Sequence, residues 1–206
     1  YYISFQDTAS VVLPATGFSS IDSFITVAFW VNGDLNLQPQ NDQVFEAIDA
    51  SGNRVLNCHL PWSNGRIYWD AGNDGTGSSD RIDQFATPDA YKYFWNHYAL
   101  TKNVATGEMK IYRNGSLWFS GTGKTRRMYG IDRFRIGGNG VGTAFYDGKM
   151  DEFQVWNVAL DSTTIQNWMN REVTAAHPNY SNLVAYYRFN EGTGTTVSDA
   201  GPMANN

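Results

Sequence analysis

Short runs of apolar and aromatic residues, separated by turn-forming residues, recur along the whole chain. Within most runs the apolar and polar side chains alternate, which is the period of a β-strand with one buried face. The runs predict strands over residues 10–13, 25–31, 43–48, 54–60, 66–70, 94–101, 109–113, 116–120, 134–136, 149–156 and 183–189. Such regular spacing is typical of an all-β antiparallel sandwich made of two sheets.

One segment has a helical period instead. Ile165, Trp168 and Met169 fall on one face of a helix over residues 162–171, and Asp161 stands where an N-cap residue would lie. A single short helix is compatible with an all-β fold.

An Asn-Gly pair at residues 114–115 predicts a tight hairpin, because both residues tolerate the positive φ angles of a type I′ turn. In that hairpin Ile111 should lie opposite Trp118, and Tyr112 opposite Leu117.

A second hairpin is predicted over residues 56–70, with Trp62 at its turn. If Leu60 pairs with Ile67, alternation separates the side chains cleanly, whereas a slip of one residue would mix them. One face is then apolar and comprises Leu56, Cys58, Leu60, Ile67 and Trp69. The other is polar and aromatic and comprises Asn57, His59, Arg66, Tyr68 and Asp70.

The charge pattern narrows the range of partners. The formal net charge is -5, and the basic residues are scattered, so we expect neither nucleic acid nor an anionic membrane surface as a partner. No apolar stretch approaches the ~18 residues of a membrane-spanning helix, which argues against membrane insertion. The chain begins without Met or an apolar signal region, so we expect an excised or processed piece.

Four consecutive motifs, in a consistent order, resemble the laminin G-like jelly-roll family of the concanavalin A-like lectin/glucanase superfamily, which also includes the pentraxin type. They are WNHYALTK at 95–102, GEMKIYRNG at 107–115, IGG at 136–138 and GKMDEFQVWNVAL at 148–160, accompanied by Phe29-Trp30 in an early strand. The resemblance covers roughly residues 1 to 170 and implies a two-sheet jelly-roll sandwich.

The tail from residue 178 to 206 looks like the segment that usually opens such a domain. It either starts a second, truncated repeat or returns as an edge strand that completes the sandwich. We favour the returning strand, because a lone strand that exposed Val184, Tyr186 and Phe189 would promote aggregation. The whole chain, 1–206, is therefore predicted to be one domain.

The same superfamily includes glycoside hydrolases, which resemble one another in runs of alternating carboxylates on one strand face. No such run occurs here. Alternation places the adjacent Asp151 and Glu152 on opposite faces, and Asp147 and Asp151 would lie about 13 Å apart, too far for a catalytic pair. Cys58 falls on an apolar face, where a thiolate is disfavoured. We therefore expect no enzymatic activity.

Calcium is the ion that the sequence makes most plausible. The family resemblance implies a structural calcium ion with Asp151 and Asp199 as ligands. An equally good interpretation is that each carboxylate bonds backbone amides at a strand end.

Sugar recognition needs an aromatic face for the CH side of a pyranose and planar polar groups for its hydroxyls. The polar hairpin face offers both: Tyr68 or Trp62 for stacking, and Asn57, His59, Arg66 and Asp70 for hydrogen bonds. Alternatively, these residues merely face solvent on an antiparallel sheet.

Three functions remain open. The first is a non-catalytic, lectin-like module of a larger secreted or cell-surface protein, and it binds a polysaccharide or a glycoprotein glycan. The second is a laminin G-like domain that binds a protein through a broad apolar patch. The third is a diverged glycoside hydrolase. We prefer the first, on family analogy and on the composition of the hairpin face.

Overall fold

The chain folds as the alternating pattern predicts, into two antiparallel β-sheets packed face to face. A computed structural model describes residues 1–204. Within that part of the chain one helix, α1 (Ser162–Trp168), accompanies the strands. The strands are β1 (Ile3–Phe5), β2 (Val11–Leu13), β3 (Phe24–Gly33), β4 (Phe45–Asp49), β5 (Arg54–His59), β6 (Arg66–Ala71), β7 (Asp80–Phe85), β8 (Asn96–Asn103), β9 (Glu108–Arg113), β10 (Ser116–Gly121), β11 (Ile131–Ile136), β12 (Gly148–Trp156) and β13 (Leu183–Tyr187).

In the described residues one sheet has seven strands, in the order β1-β12-β3-β8-β9-β10, with β13 also paired to β12. The other sheet has six, in the order β2-β11-β4-β5-β6-β7. The all-β, two-sheet antiparallel sandwich of the concanavalin A-like type is therefore confirmed. Two strands were not predicted, β1 and β7.

Aromatic rings from both sheets form the centre of the core. Phe29 and Phe153 come from the seven-stranded sheet, while Phe45 and Phe134 come from the other, and all four are fully buried. Their ring centroids lie 5.7 to 6.0 Å apart in stacked and edge-to-face pairs. Such pairs add stability beyond the area they bury.

A second, smaller core lies on the outer face of the seven-stranded sheet, where α1 and the chain after it cover Trp156 and Tyr186. The helix begins as predicted, because the side chain of Asp161 accepts a hydrogen bond from the backbone N–H of Thr164 at 2.7 Å. Ile165 faces this core. No helix among residues 1–204 has the length and apolar character needed to cross a bilayer.

The register of the β9–β10 hairpin agrees with the prediction only at one of the two expected pairs. Tyr112 pairs with Leu117 as expected, but Ile111 pairs with Phe119 rather than with Trp118. The cause is an irregularity in the ladder between Leu117 and Phe119, where a β-bulge adds one residue to β10.

The segment near the C-terminus joins the same sheet. Leu183–Tyr187 forms β13 and pairs antiparallel with β12, Phe153 opposite Tyr187 and Gln154 opposite Tyr186. All five residues of β13 are buried. That residues 1–206 form one domain stays a prediction, and residues 205–206 lie outside the described part of the chain.

Candidate functional site

The hairpin of β5 and β6 has the register that alternation predicts. Cys58 pairs with Trp69 and His59 with Tyr68. The apolar residues of the hairpin face the core between the sheets, and the polar set faces outward. The sequence therefore placed these side chains on the correct face.

Two of the predicted ligand-binding residues lie beneath that surface. Asn57 and Asp70 are opposite one another, fully buried, and joined by a hydrogen bond from Asn57 Nδ2 to Asp70 Oδ2 at 3.2 Å. The side chains of Arg54 and Arg81 bond to the Asp70 carboxylate, and direct binding of sugar hydroxyls by Asn57 and Asp70 stays a prediction. Asp70 positions the two guanidinium groups.

The arginines are held by short ion pairs. Arg81 donates from Nε to Asp70 Oδ1 at 2.5 Å and from Nη2 to Oδ2 at 2.8 Å. Arg54 donates to Asp70 Oδ2 at 2.9 Å and to Glu46 Oε1 at 2.7 Å. Two carboxylates thus neutralise two guanidinium groups, and the surface above them offers donors without a large net charge.

A cavity of about 310 Å³ opens on this surface. We name it the hairpin pocket, and it is lined by Gln43, Arg54, His59, Trp62, Tyr68 and Arg81. Three of the six predicted residues, His59, Trp62 and Tyr68, therefore line it. Arg66 does not, because its side chain forms an ion pair with Asp83 on β7.

His59 presents a neutral ring to the pocket. Its Nδ1 lies 2.5 Å from the carbonyl oxygen of Asp42, which can only accept, so Nδ1 carries the proton and Nε2 is left as an acceptor. Burial lowers the pKa of His59 to about 4. The ring of Trp62 lies edge-on to it, with centroids 4.4 Å apart.

Tyr68 is less free than predicted. The guanidinium carbon of Arg81 lies 4.7 Å from its ring centroid, and its hydroxyl accepts a hydrogen bond from Asn64 Nδ2 at 2.8 Å. One face of the ring is thus covered by a cation. Trp62 is therefore the better stacking surface in this pocket.

Gln43 supplies a polar group that the sequence did not point to. It is 5% exposed, lines the pocket, and its Oε1 has no hydrogen-bond partner among the described residues. A buried acceptor without a partner costs about 1 to 3 kcal/mol, unless a ligand or solvent satisfies it.

Arg81 was also missing from the residues predicted from the sequence. It lies on the unpredicted strand β7, opposite Asp70.

The two predicted calcium ligands do not form an ion site by themselves. Asp199 Oδ1 accepts hydrogen bonds from the backbone N–H groups of Tyr186 and Gly201, each at 2.8 Å. Asp151 Oδ1 accepts from the N–H of Glu152 at 3.0 Å. Across residues 1–204 no three His, Cys, Asp or Glu side chains come together as metal ligands would. A calcium ion held by Asp151 and Asp199 stays a prediction.

The strand around Asp151 does not alternate as predicted, so the expected opposite faces of Asp151 and Glu152 are wrong. Asp151 pairs with Trp30 and Gln154 with Ala28, so β12 contains one extra residue against β3. This β-bulge is centred on Glu152, which has a φ of 53°. Asp151 and Glu152 consequently line the same cavity, of about 480 Å³, instead of facing opposite sides of the sheet.

Comparison with known families identifies a match over most of the chain. The model of the Laminin_G_3 family, described as Concanavalin A-like lectin/glucanases superfamily, matches residues 5–166. No curated protein matches the chain.

Several solved structures share the fold at low sequence identity. A Bacteroides ovatus ATCC 8483 protein, provisionally described as carbohydrate binding, is 21% identical with a TM-score of 0.64, over 97% of this chain and 55% of its own. The botulinum neurotoxin serotype G binding domain is 17% identical with a TM-score of 0.61, over 81% and 41%. The NanB sialidase of Streptococcus pneumoniae is 16% identical with a TM-score of 0.60, over 81% and 27%. The chain thus spans little more than half of the first and less of the others.

Proposed function

The chain belongs to the concanavalin A-like lectin/glucanases superfamily, in its Laminin_G_3 family, and from this premise we propose that it is a non-catalytic carbohydrate-binding module of a larger secreted or cell-surface protein. The ligand is a polysaccharide or a glycoprotein glycan, and the binding site is the hairpin pocket. The observation that carries the proposal is the combination, in one cavity, of the Trp62 ring with the guanidinium groups of Arg54 and Arg81, the neutral His59 and the unpartnered Gln43 oxygen.

This set of groups suits a sugar for chemical reasons. Sugar hydroxyls both donate and accept hydrogen bonds, and the pocket offers guanidinium donors together with acceptors at His59 Nε2 and Gln43 Oε1. The CH face of a pyranose packs on an aromatic ring, for which Trp62 is available. The buried pairs at Asp70 hold the donors in place, so little side-chain order is lost on binding.

Two of the similar structures are described by a carbohydrate ligand or a carbohydrate substrate, but the proposal does not depend on them. The Bacteroides ovatus protein is provisionally described as carbohydrate binding, and NanB is a sialidase. At 21% identity or less, the likeness is one of fold.

The proposal is tested on a broad glycan array, with the native chain and the variants Trp62→Ala and Tyr68→Ala, each with and without calcium. We expect specific glycan binding that falls at least tenfold in Trp62→Ala, and less in Tyr68→Ala, whose ring is already covered by Arg81. Arg66→Ala is the matched control on the same sheet face, because Arg66 lies outside the pocket. Release of reducing ends from a bound glycan would contradict the non-catalytic assignment.

Loss of binding on calcium removal, reproduced by Asp199→Asn, would support the structural calcium ion. Binding that is indifferent to calcium would favour the interpretation that Asp199 bonds backbone N–H groups.

One observation favours a second candidate, a laminin G-like protein-interaction domain. Large apolar side chains are exposed in two loops, namely Leu35, Leu37, Tyr93, Phe94 and Trp95. The loops are joined by a hydrogen bond from Lys92 Nζ to the carbonyl of Leu35 at 3.1 Å. Exposed apolar patches mark protein contacts. If no glycan on the array binds, a protein partner should be sought with the native chain. Its binding should then be compared with that of the Phe94→Ser variant.

A further inference from the structure

The cavity that Asp151 and Glu152 line lies on the opposite side of the sandwich from the hairpin pocket. We call it the bulge cleft. Its walls are the rings of Tyr2, Trp30 and Trp95, with Tyr1 beside them, and its acidic groups on the sheet are Asp151 and Glu152. Residues 169–172, which include Arg171 and Glu172, close one side. Trp30 faces outward from the seven-stranded sheet, since its neighbours Phe29 and Val31 are fully buried in the core.

The bulge creates the acidic part of the cleft. Met150 faces the core before the bulge, and Phe153 and Val155 face it afterwards, so the parity of the strand changes at Glu152. The positive φ of Glu152 is uncommon for a residue with a side chain. Two consecutive carboxylates thereby reach one cavity, and backbone irregularities of this kind occur frequently at functional sites.

The aromatic walls are held in place. Trp30 Nε1 donates to the carbonyl oxygen of Met169 at 2.8 Å, which fixes its ring against the chain that follows α1. The rings of Tyr2 and Trp95 contact each other, with centroids 5.7 Å apart. A ligand would therefore meet preformed surfaces.

The negative charges of Asp151 and Glu152 are only partly balanced by other groups of the protein. Glu152 accepts a hydrogen bond from the Tyr186 hydroxyl, and Asp151 accepts one from the backbone N–H of Glu152. Within residues 1–204 neither of them forms an ion pair.

Arg188 interacts electrostatically with both carboxylates without an ion pair to either, and the basic side chains nearby also have other contacts. Arg188 forms an ion pair with Glu172 at 2.6 Å. Arg171 lies over the ring of Trp168, at 5.7 Å from its centroid, and Lys149 Nζ lies 5.0 Å from the centroid of the Tyr2 ring. An ammonium group can therefore lie against the ring of Tyr2, which is one wall of this cleft.

From this geometry we propose that the bulge cleft binds the protonated amino group of an amino sugar that lacks an N-acetyl group. The ammonium group pairs with Asp151 and Glu152, while the sugar ring packs against Trp95 and Trp30. An ammonium group gains both from carboxylates and from aromatic faces, and a cleft that combines the two discriminates against a neutral ligand. The choice of a sugar rests on the proposed function, whereas the choice of an amine rests on the cleft alone.

The test uses two trisaccharides that differ only in this group, a glucosamine trimer and an N-acetylglucosamine trimer, with calorimetric titration at pH 6.5. We expect the glucosamine trimer to bind at least tenfold more tightly to the native chain. Asp151→Asn and Glu152→Gln each keep one acceptor oxygen and remove one charge, so each should weaken that binding at least tenfold. Trp95→Ala should weaken it as well.

Asp132→Asn is the matched control for net charge, because Asp132 is exposed and lies outside the cleft. Equal affinity for the two trimers, no binding of the glucosamine trimer, or an equal loss in Asp132→Asn would each overturn the proposal. Trp62→Ala separates the two sites. If glucosamine binding survives in that variant, the bulge cleft stands whatever the glycan array shows for the hairpin pocket.

Discussion

The carboxylate of Asp70, fully buried in β6, accepts two hydrogen bonds from the guanidinium group of Arg81, which lies opposite it on β7. Arg54 reaches the same carboxylate from β5. Asp70 therefore joins three neighbouring strands below the surface of the hairpin pocket. Asp70 holds in place the guanidinium groups that face a ligand. Its contribution to stability can be measured separately from ligand binding.

Asp70→Asn should lower the free energy of unfolding by about 2 kcal/mol, as measured by urea denaturation. The change leaves two guanidinium groups without their buried partner, and the cost stays below that of a fully buried pair because both arginine side chains are partly exposed. Asp83→Asn breaks the more exposed pair with Arg66 and should cost less than about 1 kcal/mol. Equal costs for the two variants would contradict a buried anchoring role for Asp70.

Gln43→Met should separate stability from binding. Methionine removes a buried oxygen that has no partner in the described structure, so the free energy of unfolding should rise by about 1 kcal/mol. The same change should weaken glycan binding about tenfold, because it removes an acceptor from the pocket. Gln84→Met, on β7 outside the pocket, is the control for both measurements. A variant that loses stability and keeps its affinity would show that Gln43 serves the fold and not the ligand.

The sequence predicted most of the sandwich because alternation and turn residues are local signals. The register of the β5–β6 hairpin follows from one clean division of side chains, and it is observed at Cys58 opposite Trp69. Strand β7 was missed because its sequence, DRIDQF, has few apolar residues and lies at the edge of its sheet, where little burial is required.

The candidate sites were less predictable than the fold. The face of the hairpin pocket could be found, but Arg81 belongs to the missed strand, and Gln43 shows no pattern of its own. The bulge at Glu152 could not be predicted, because a glutamate with positive φ has no local sequence signal. One extra residue in β12 was enough to bring two carboxylates that were expected on opposite faces into the same cavity.

Leu183→Ala tests whether the tail is part of the fold. Leu183 is fully buried in the outer core beneath α1, so its truncation should cost about 2 to 4 kcal/mol. Leu117→Ala is the matched control, because Leu117 is 53% exposed and should change the free energy of unfolding by less than about 0.5 kcal/mol. If residues 178–206 instead began a separate repeat, the two variants would unfold at the same urea concentration.

His177 should make the fold sensitive to mild acid. Its ring lies between Trp156 and Trp168, at centroid distances of 4.5 and 4.6 Å, and its Nδ1 accepts a hydrogen bond from the backbone N–H of Asn179 at 3.0 Å. Protonation would break that bond, and burial lowers the pKa of His177 to about 4, against about 6.5 in an unfolded chain.

Between those two values the unfolded state binds more protons than the folded state, so the stability contributed by the neutral ring is complete above pH 6.5 and is lost as the pH falls. His59 and His97 also have a pKa lowered to about 4, whereas burial raises that of Asp42 to about 7 and acts in the opposite direction. The contribution of His177 is therefore measured as a difference between two proteins. From pH 7.5 to pH 5.5 the native chain should lose about 1 kcal/mol more unfolding free energy than His177→Gln, and parallel pH profiles would show that this ring does not titrate with unfolding.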